Sequence, residues 1–230
     1  MSATGAFFTD VETSDVNVFT AGTLELDINS NGTAAPFTTG LGSLALNPGE
    51  KTGVGSIRIK NGGSTNLIWF GYFNTSGDDA MLDVVYLDTA KMEFLKPNAT
   101  TWETADQFIN NGDGFGPYAS FFQTLAGADD KVSLREWNGA LNNGMGVGNG
   151  VMNGALKPGG YEYRFTFSLG MMENLPNALQ GAVLNMNYTL NSTQVTEAAI
   201  AALDVADERI SVGSPLGIKD WAVLQLEKQI

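Results

Sequence analysis

Among 230 residues there is no cysteine and no histidine. The first absence excludes a disulfide framework, a thiolate metal site and a cysteine nucleophile. The second removes the commonest general base and the commonest zinc ligand. Ser-His, Cys-His and HExxH chemistry are therefore impossible in this chain. Basic residues are scarce: 12 Lys+Arg stand against 25 Asp+Glu, for a net charge of −13 and a pI near 4.2. Phosphate backbones repel such a surface, so nucleic acid is not an expected partner. No apolar run approaches the length that spans a bilayer, so no membrane span is expected. Met1-Ser2-Ala3-Thr4 carries neither the charged nor the apolar part of an export signal. With no carboxylate pair singled out by spacing either, the chain reads as a non-enzyme, with no catalytic residue, no cofactor and no metal.

What is abundant is turn chemistry. The 28 glycines and many asparagines suit tight connections between strands. Leu24, Leu26 and Ile28 alternate with Glu25 and Asp27, a period of two with one wet face. Leu46-Asn47-Pro48-Gly49 has the Pro and Gly of a type II turn, and Leu156-Lys157-Pro158-Gly159 repeats it. After the first turn, Ile57 and Ile59 alternate with Ser56, Arg58 and Lys60. Leu67-Ile68-Trp69-Phe70 is apolar on both parities, as a central strand would be. Met81–Leu87 and Lys91–Leu95 read as two more strands. After the second turn, Tyr161, Tyr163, Phe165 and Phe167 alternate with Glu162, Arg164, Thr166 and Ser168, and Val183–Leu190 closes the set. Strands separated by Gly/Pro turns without βαβ alternation predict a mainly β, antiparallel sandwich.

The organisation predicted is an N-terminal arm (1–15), a sandwich domain (16–195) and a C-terminal extension (196–230). A partly helical insertion, about 97–155, interrupts the sandwich. Within it the spacing of Trp102, Ala105, Phe108 and Ile109 suggests a helix from Thr101, with others over Tyr118–Leu125 and Ser133–Leu141. Ser133 and Glu136 form the capping-box pair of the last. Residues 142–154, rich in Gly, Asn and Met, read as loop. The extension is helical near Glu197–Leu203 and Lys219–Glu227. It either packs on its own sandwich or meets a neighbour; the sequence leaves both open.

Three blocks carry a family resemblance. The first runs from Ala6-Phe7-Phe8-Thr9-Asp10-Val11-Glu12-Thr13-Ser14 to Phe19-Thr20-Ala21-Gly22-Thr23-Leu24-Glu25-Leu26. The second is Leu46-x-Pro48-Gly49 with the strand after it and Asn61-Gly62-Gly63-Ser64. The third is Gln180–Gln194. Together they resemble the TasA/camelysin family of secreted biofilm-matrix and surface-fibre subunits. The resemblance implies a jelly-roll-like sandwich and an extracellular or cell-surface location, reached with a signal peptide absent from this chain. It also implies self-assembly into a filament in which an N-terminal strand of one subunit completes the sheet of the next. Carried over by position, the donor strand is Ala6, Phe7, Phe8, Thr9, Asp10, Val11, Glu12 and Thr13. The acceptor strand would be Val183, Leu184, Met186, Tyr188 and Leu190. Partners would be further copies of the chain, neighbouring filaments or cell-surface components. Camelysin-type relatives carry a metallopeptidase label, and this chain departs from it entirely, having no His, Cys or HExxH.

The alternative is a cell-surface β-sandwich adhesin, monomeric or oligomeric, binding carbohydrate or another cell through Trp102, Trp137 and Tyr118. Asp129–Glu136 is similar to the second half of an EF-hand loop, but Leu125 and Gly127 stand where acidic ligands belong. Gly77-Asp78-Asp79 and Asn110–Gly114 offer oxygens and read as solvated turns. Of five Asn-x-Ser/Thr sequons, those at Asn31, Asn74 and Asn98 are loop-like candidates for N-glycosylation, whereas Asn187 and Asn191 fall in or beside a strand.

Overall fold

The computed structural model describes residues 10–13, 24–28, 47–114, 131–139, 151–179, 182–206, 210 and 214–229. In chain order its strands are β1 (Asp10–Thr13), β2 (Leu24–Ile28), β3 (Gly55–Asn61), β4 (Leu67–Gly77), β5 (Val85–Leu95), β6 (Glu103–Asn110), β7 (Asp113–Gly114), β8 (Met152–Leu156), β9 (Glu162–Met171) and β10 (Leu184–Gln194). Among the described residues the α-helices are α1 (Met81–Val84), α2 (Leu134–Gly139), α3 (Glu197–Ala206) and α4 (Pro215–Glu227). The strands form two antiparallel sheets, one ordered β1-β10-β4-β8 and the other β2-β3-β9-β5-β6-β7.

The alternating residues create the core between the sheets. Ile57 and Ile59 of β3, Trp69 and Phe73 of β4, Phe165 and Phe167 of β9, and Met186 and Tyr188 of β10 are all buried there. Phe73 packs edge-on against Phe167, with ring centroids 5.1 Å apart, and against Tyr188 at 5.4 Å. Each such ring or branched chain contributes about 1.5–3 kcal/mol by leaving water. The fold is the antiparallel β-sandwich that the alternation predicts.

β4 is apolar on both parities because both of its faces are covered. Ile68, Phe70 and Tyr72 point away from the core and form a second cluster with Ile200, Leu203, Ile218, Ala222 and Leu226. The C-terminal helices therefore pack on their own sandwich, the first of the two readings the sequence left open. α4 starts where Ser214 caps it: its hydroxyl accepts from Gly217 N–H at 3.1 Å, and Pro215 occupies the first turn.

The turns follow their residues. Gly49 has φ +79° and Glu50 N–H donates to Asn47 O at 3.0 Å. β6 and β7 are joined by Asn111 and Gly112, at φ +55° and +89°, the positive pair a type I′ hairpin needs.

Four expectations need correction. Residues 103–110 form β6, not a helix: β5 offers them an open ladder, and hydrogen bonding to it overrides the helical spacing of Trp102 and Phe108. Met81–Val84 is a helical turn, and Val85–Leu95 is one continuous strand whose register slips between Leu87 and Thr89. Met152–Gly154, expected as loop, belongs to β8, where Gly154 lies across from Trp69. Nor does the region 97–155 stand apart from the sandwich, since β6, β7 and β8 extend both sheets. The helix expected over Tyr118–Leu125 lies outside the described residues, as does Tyr118 itself.

Candidate functional site: the edge of the four-stranded sheet

Both segments singled out for assembly fall on one sheet edge. β10 pairs with β4 over its whole length, from Leu184 opposite Gly77 to Gln194 opposite Leu67. On its other side it carries β1 of the same chain: Asp10 opposite Ser192, Val11 opposite Asn191, Glu12 opposite Leu190 and Thr13 opposite Thr189. Ala6, Phe7, Phe8 and Thr9 lie outside the described residues.

The proposed acceptor residues do not line an open groove. Leu184, Met186, Tyr188 and Leu190 are each at most 1% exposed, inside the chain's own core. Val183 precedes the strand and is 45% exposed. It is an anchor: Val183 N–H donates to Asp78 Oδ2 at 3.0 Å, and Asp78 N–H donates to Val183 O at 2.9 Å. Gly77, at φ +109°, must be glycine here, because a Cβ would lie 2.2 Å from Val183 O. Asp78 and Asp79 are thus engaged, Asp79 by Arg135 at 2.8 Å, which holds its carboxyl below the ordinary range. Among the described residues no three acidic side chains converge as metal ligands.

The outward face of β10 is polar. Thr189, Asn191 and Thr193 are buried opposite Tyr72, Phe70 and Ile68, and Asn74 donates from its amide to the Thr189 hydroxyl. The register of β1 therefore puts Val11 opposite this polar row and Glu12 opposite core-facing Leu190. β2 does the reverse, with Leu26 and Ile28 opposite the core residues Ile59 and Ile57. A backbone ladder of four register positions joins β1 to β10.

The other candidate surfaces are occupied. Trp137 is 4% exposed and stacks on Phe165 in the core, so it cannot serve as a carbohydrate platform. The ring of Trp102 lies 4.4 Å from the Arg164 guanidinium. That contact roofs an ion cluster on the outer face of the six-stranded sheet. Glu93 there accepts from Lys91 at 2.9 Å, Arg164 at 2.8 Å and the Thr166 hydroxyl at 2.9 Å, and Arg58 pairs with Glu162. Burial pushes Glu93 upward, but these donors outweigh it and hold the carboxyl below its ordinary value. Of the sequons, Asn74 is inside the sheet, Asn191 is fully buried, Asn98 sits exposed in a turn at φ +62°, and Asn31 lies outside the described residues.

Two parts of the molecule escaped the sequence reading. The Glu93 cluster joins residues 71 positions apart, and only the parity of Arg164 hinted that its side chain leaves the core. Gln229, discussed below, carries no local signal at all. Among the described residues no helix is long and apolar enough to cross a membrane.

No family model matches the sequence, and no curated protein matches it. Of the solved structures, the infectious bursal disease virus VP2 subviral particle aligns with 97% of this chain at 11% identity and a TM-score of 0.16. The chain spans 50% of that structure's length, and a score so low supports no argument about fold or function.

Proposed function

We propose that this protein is a structural subunit of an extracellular filament, polymerising by exchange of its N-terminal strand between copies. The observation that carries the reading is the β1–β10 pairing: a four-residue strand in the N-terminal arm occupies the edge of the four-stranded sheet. Every bond that β1 makes to its own β10 can be made identically by the β1 of a neighbour, so exchange costs no contact. A ladder of four residues at a sheet edge is easier to trade than a pairing along a whole strand. Polymerisation residues in this reading are Asp10, Val11, Glu12 and Thr13 on β1, with Thr9, Phe8, Phe7 and Ala6 continuing the arm. They pair with the β10 backbone over Thr189–Ser192. Export to the cell surface and the jelly-roll family likeness belong to the same proposal.

The absence of native cysteine makes the test clean. Val11→Cys/Asn191→Cys and Asp10→Cys/Ser192→Cys place a pair at two successive register positions. One of the two is the close, non-hydrogen-bonded type that a disulfide bridges. Oxidising assembled material should give a ladder of covalent multimers on denaturing gels, beside filaments in negative-stain micrographs. Deleting residues 2–14 should abolish both. Filaments whose crosslinks are all intramolecular would refute exchange, and monomeric particles from intact and truncated chain alike would refute the filament.

A further inference from the structure

The opposite edge of the same sheet is closed by a side chain. Among the described residues β8 pairs with β4 alone and ends the sheet, so its outward backbone groups face away from every described strand. Such groups invite pairing with another chain. Two of them are taken by Gln229, which follows α4 and is 4% exposed. Its Nε2 donates to Ala155 O at 2.6 Å, and its Oε1 accepts from Lys157 N–H at 3.2 Å. One carboxamide thus supplies the acceptor and the donor that a neighbouring strand would offer to either side of Leu156.

The plug is itself held. Gln229 O accepts from the Tyr161 hydroxyl at 2.7 Å and from Lys157 Nζ at 3.3 Å. Its own N–H donates to Leu226 O at 3.1 Å. Leu226 is seated with Ala222 and Ile218 on the outer face of the sheet, beside Ala155. A buried glutamine bonded through both ends of its carboxamide is a costly group to place by chance, since unmet bonds there would be penalised.

We infer that Gln229 is a strand mimic that seals β8 and, within the four-stranded sheet, confines strand exchange to the β1–β10 edge. With the plug gone, β8 pairs with the β8 of a second copy. That occupant follows from symmetry: two identical open edges satisfy each other in one antiparallel, two-fold contact. The purpose of the plug rests on the filament reading; the sealing of β8 does not.

The test compares Gln229→Ala with the unaltered full-length chain, by sedimentation velocity and negative-stain microscopy. Lys228→Ala, an exposed neighbour that leaves the carboxamide and its partners in place, is the control and should behave as the unaltered chain. If the unaltered chain forms filaments, Gln229→Ala should join them side by side at twice the width. If the unaltered chain is monomeric, the variant should sediment as a dimer, so a failure of the filament reading is separable from a failure of the plug. A folded Gln229→Ala chain with unchanged width or mass overturns the inference. Should the variant not fold, hydrogen exchange in the unaltered chain decides. The Lys157 amide should be protected like the ladder amides of β4, and exchange as fast as in the exposed turn at Gly159 overturns the plug.

Discussion

Tyr188 brings a hydroxyl into the middle of the core, where it has no hydrogen-bond partner among the described residues. Burial drives its ionisation far upward, so the phenol stays neutral at any working pH. Room for it comes from Gly71 on β4, where a Cβ would lie 2.0 Å from the Tyr188 oxygen and 2.6 Å from Cζ. Trp69 uses Gly154 in the same way, at 2.6 Å from its Nε1. Removing an unpartnered hydroxyl should cost nothing, so Tyr188→Phe should leave stability unchanged or raise it by up to about 1 kcal/mol in urea unfolding. Gly71→Ala should cost about 1–3 kcal/mol by overpacking. Tyr188→Phe should not rescue it, because the ring carbon collides as well. None of this was legible in the sequence, where Gly71 and Gly154 carry no mark of the aromatic rings that lie over them from adjacent strands. Glu93 was equally hidden, but its consequence has a sign. A carboxyl held below its ordinary value near 4.5 stabilises the fold above that pH, and the contribution is lost as pH falls through the folded value. Glu93→Gln should therefore destabilise by roughly 2 kcal/mol at pH 7, less than a fully buried pair because Lys91 remains part-exposed. The gap between variant and parent should close in acid; a gap constant from pH 7 to pH 3 would refute the assignment.

Elements were readable where one face decides the pattern. β3 and β9 alternate because one face of each lies in the core, and the capping pair of α2 is present, with Ser133 N–H donating to Glu136 Oε2 at 2.7 Å and Glu136 N–H to Ser133 Oγ at 3.2 Å. Ser133→Ala should cost about 1 kcal/mol. β6 was unreadable for a physical reason: its ladder to β5 is a contact between distant segments, and Trp102 answers to Arg164 rather than to any neighbour in sequence. β8 was hidden in a Gly- and Asn-rich stretch, since an edge strand that must admit Trp69 at Gly154 looks like a loop. The double-sided character of β4 announced that something covers its second face without saying what. That something is α3 and α4, and Ile200, fully buried in the outer cluster, tests how firmly they hold. Ile200→Ala should cost about 2–4 kcal/mol by thermal or urea unfolding. A loss below 0.5 kcal/mol, on the order of a surface change, would show that the helices contribute little to the sandwich.

At the scale of the whole molecule, charge opposes the assembly that the edge geometry permits. Each copy carries a net charge of −13, and strand exchange brings two such bodies into contact. Screening lengths fall from about 30 Å at 0.01 M salt to about 8 Å at 0.15 M. Repulsion between copies is therefore strong at low ionic strength and largely local at physiological strength. The backbone ladder between β1 and β10 is uncharged and indifferent to salt. The rate of filament growth, followed by light scattering, should accordingly rise steeply between 0.01 and 0.15 M salt and flatten beyond, with the fold unchanged by circular dichroism. Whichever of the two cysteine pairs bridges, Val11→Cys/Asn191→Cys or Asp10→Cys/Ser192→Cys, that variant oxidised as a dilute monomer before salt is added should not respond at all, because its arm is tied to its own β10. Reduction should restore growth. A locked chain that still polymerises on adding salt would place the contact between copies somewhere other than this edge.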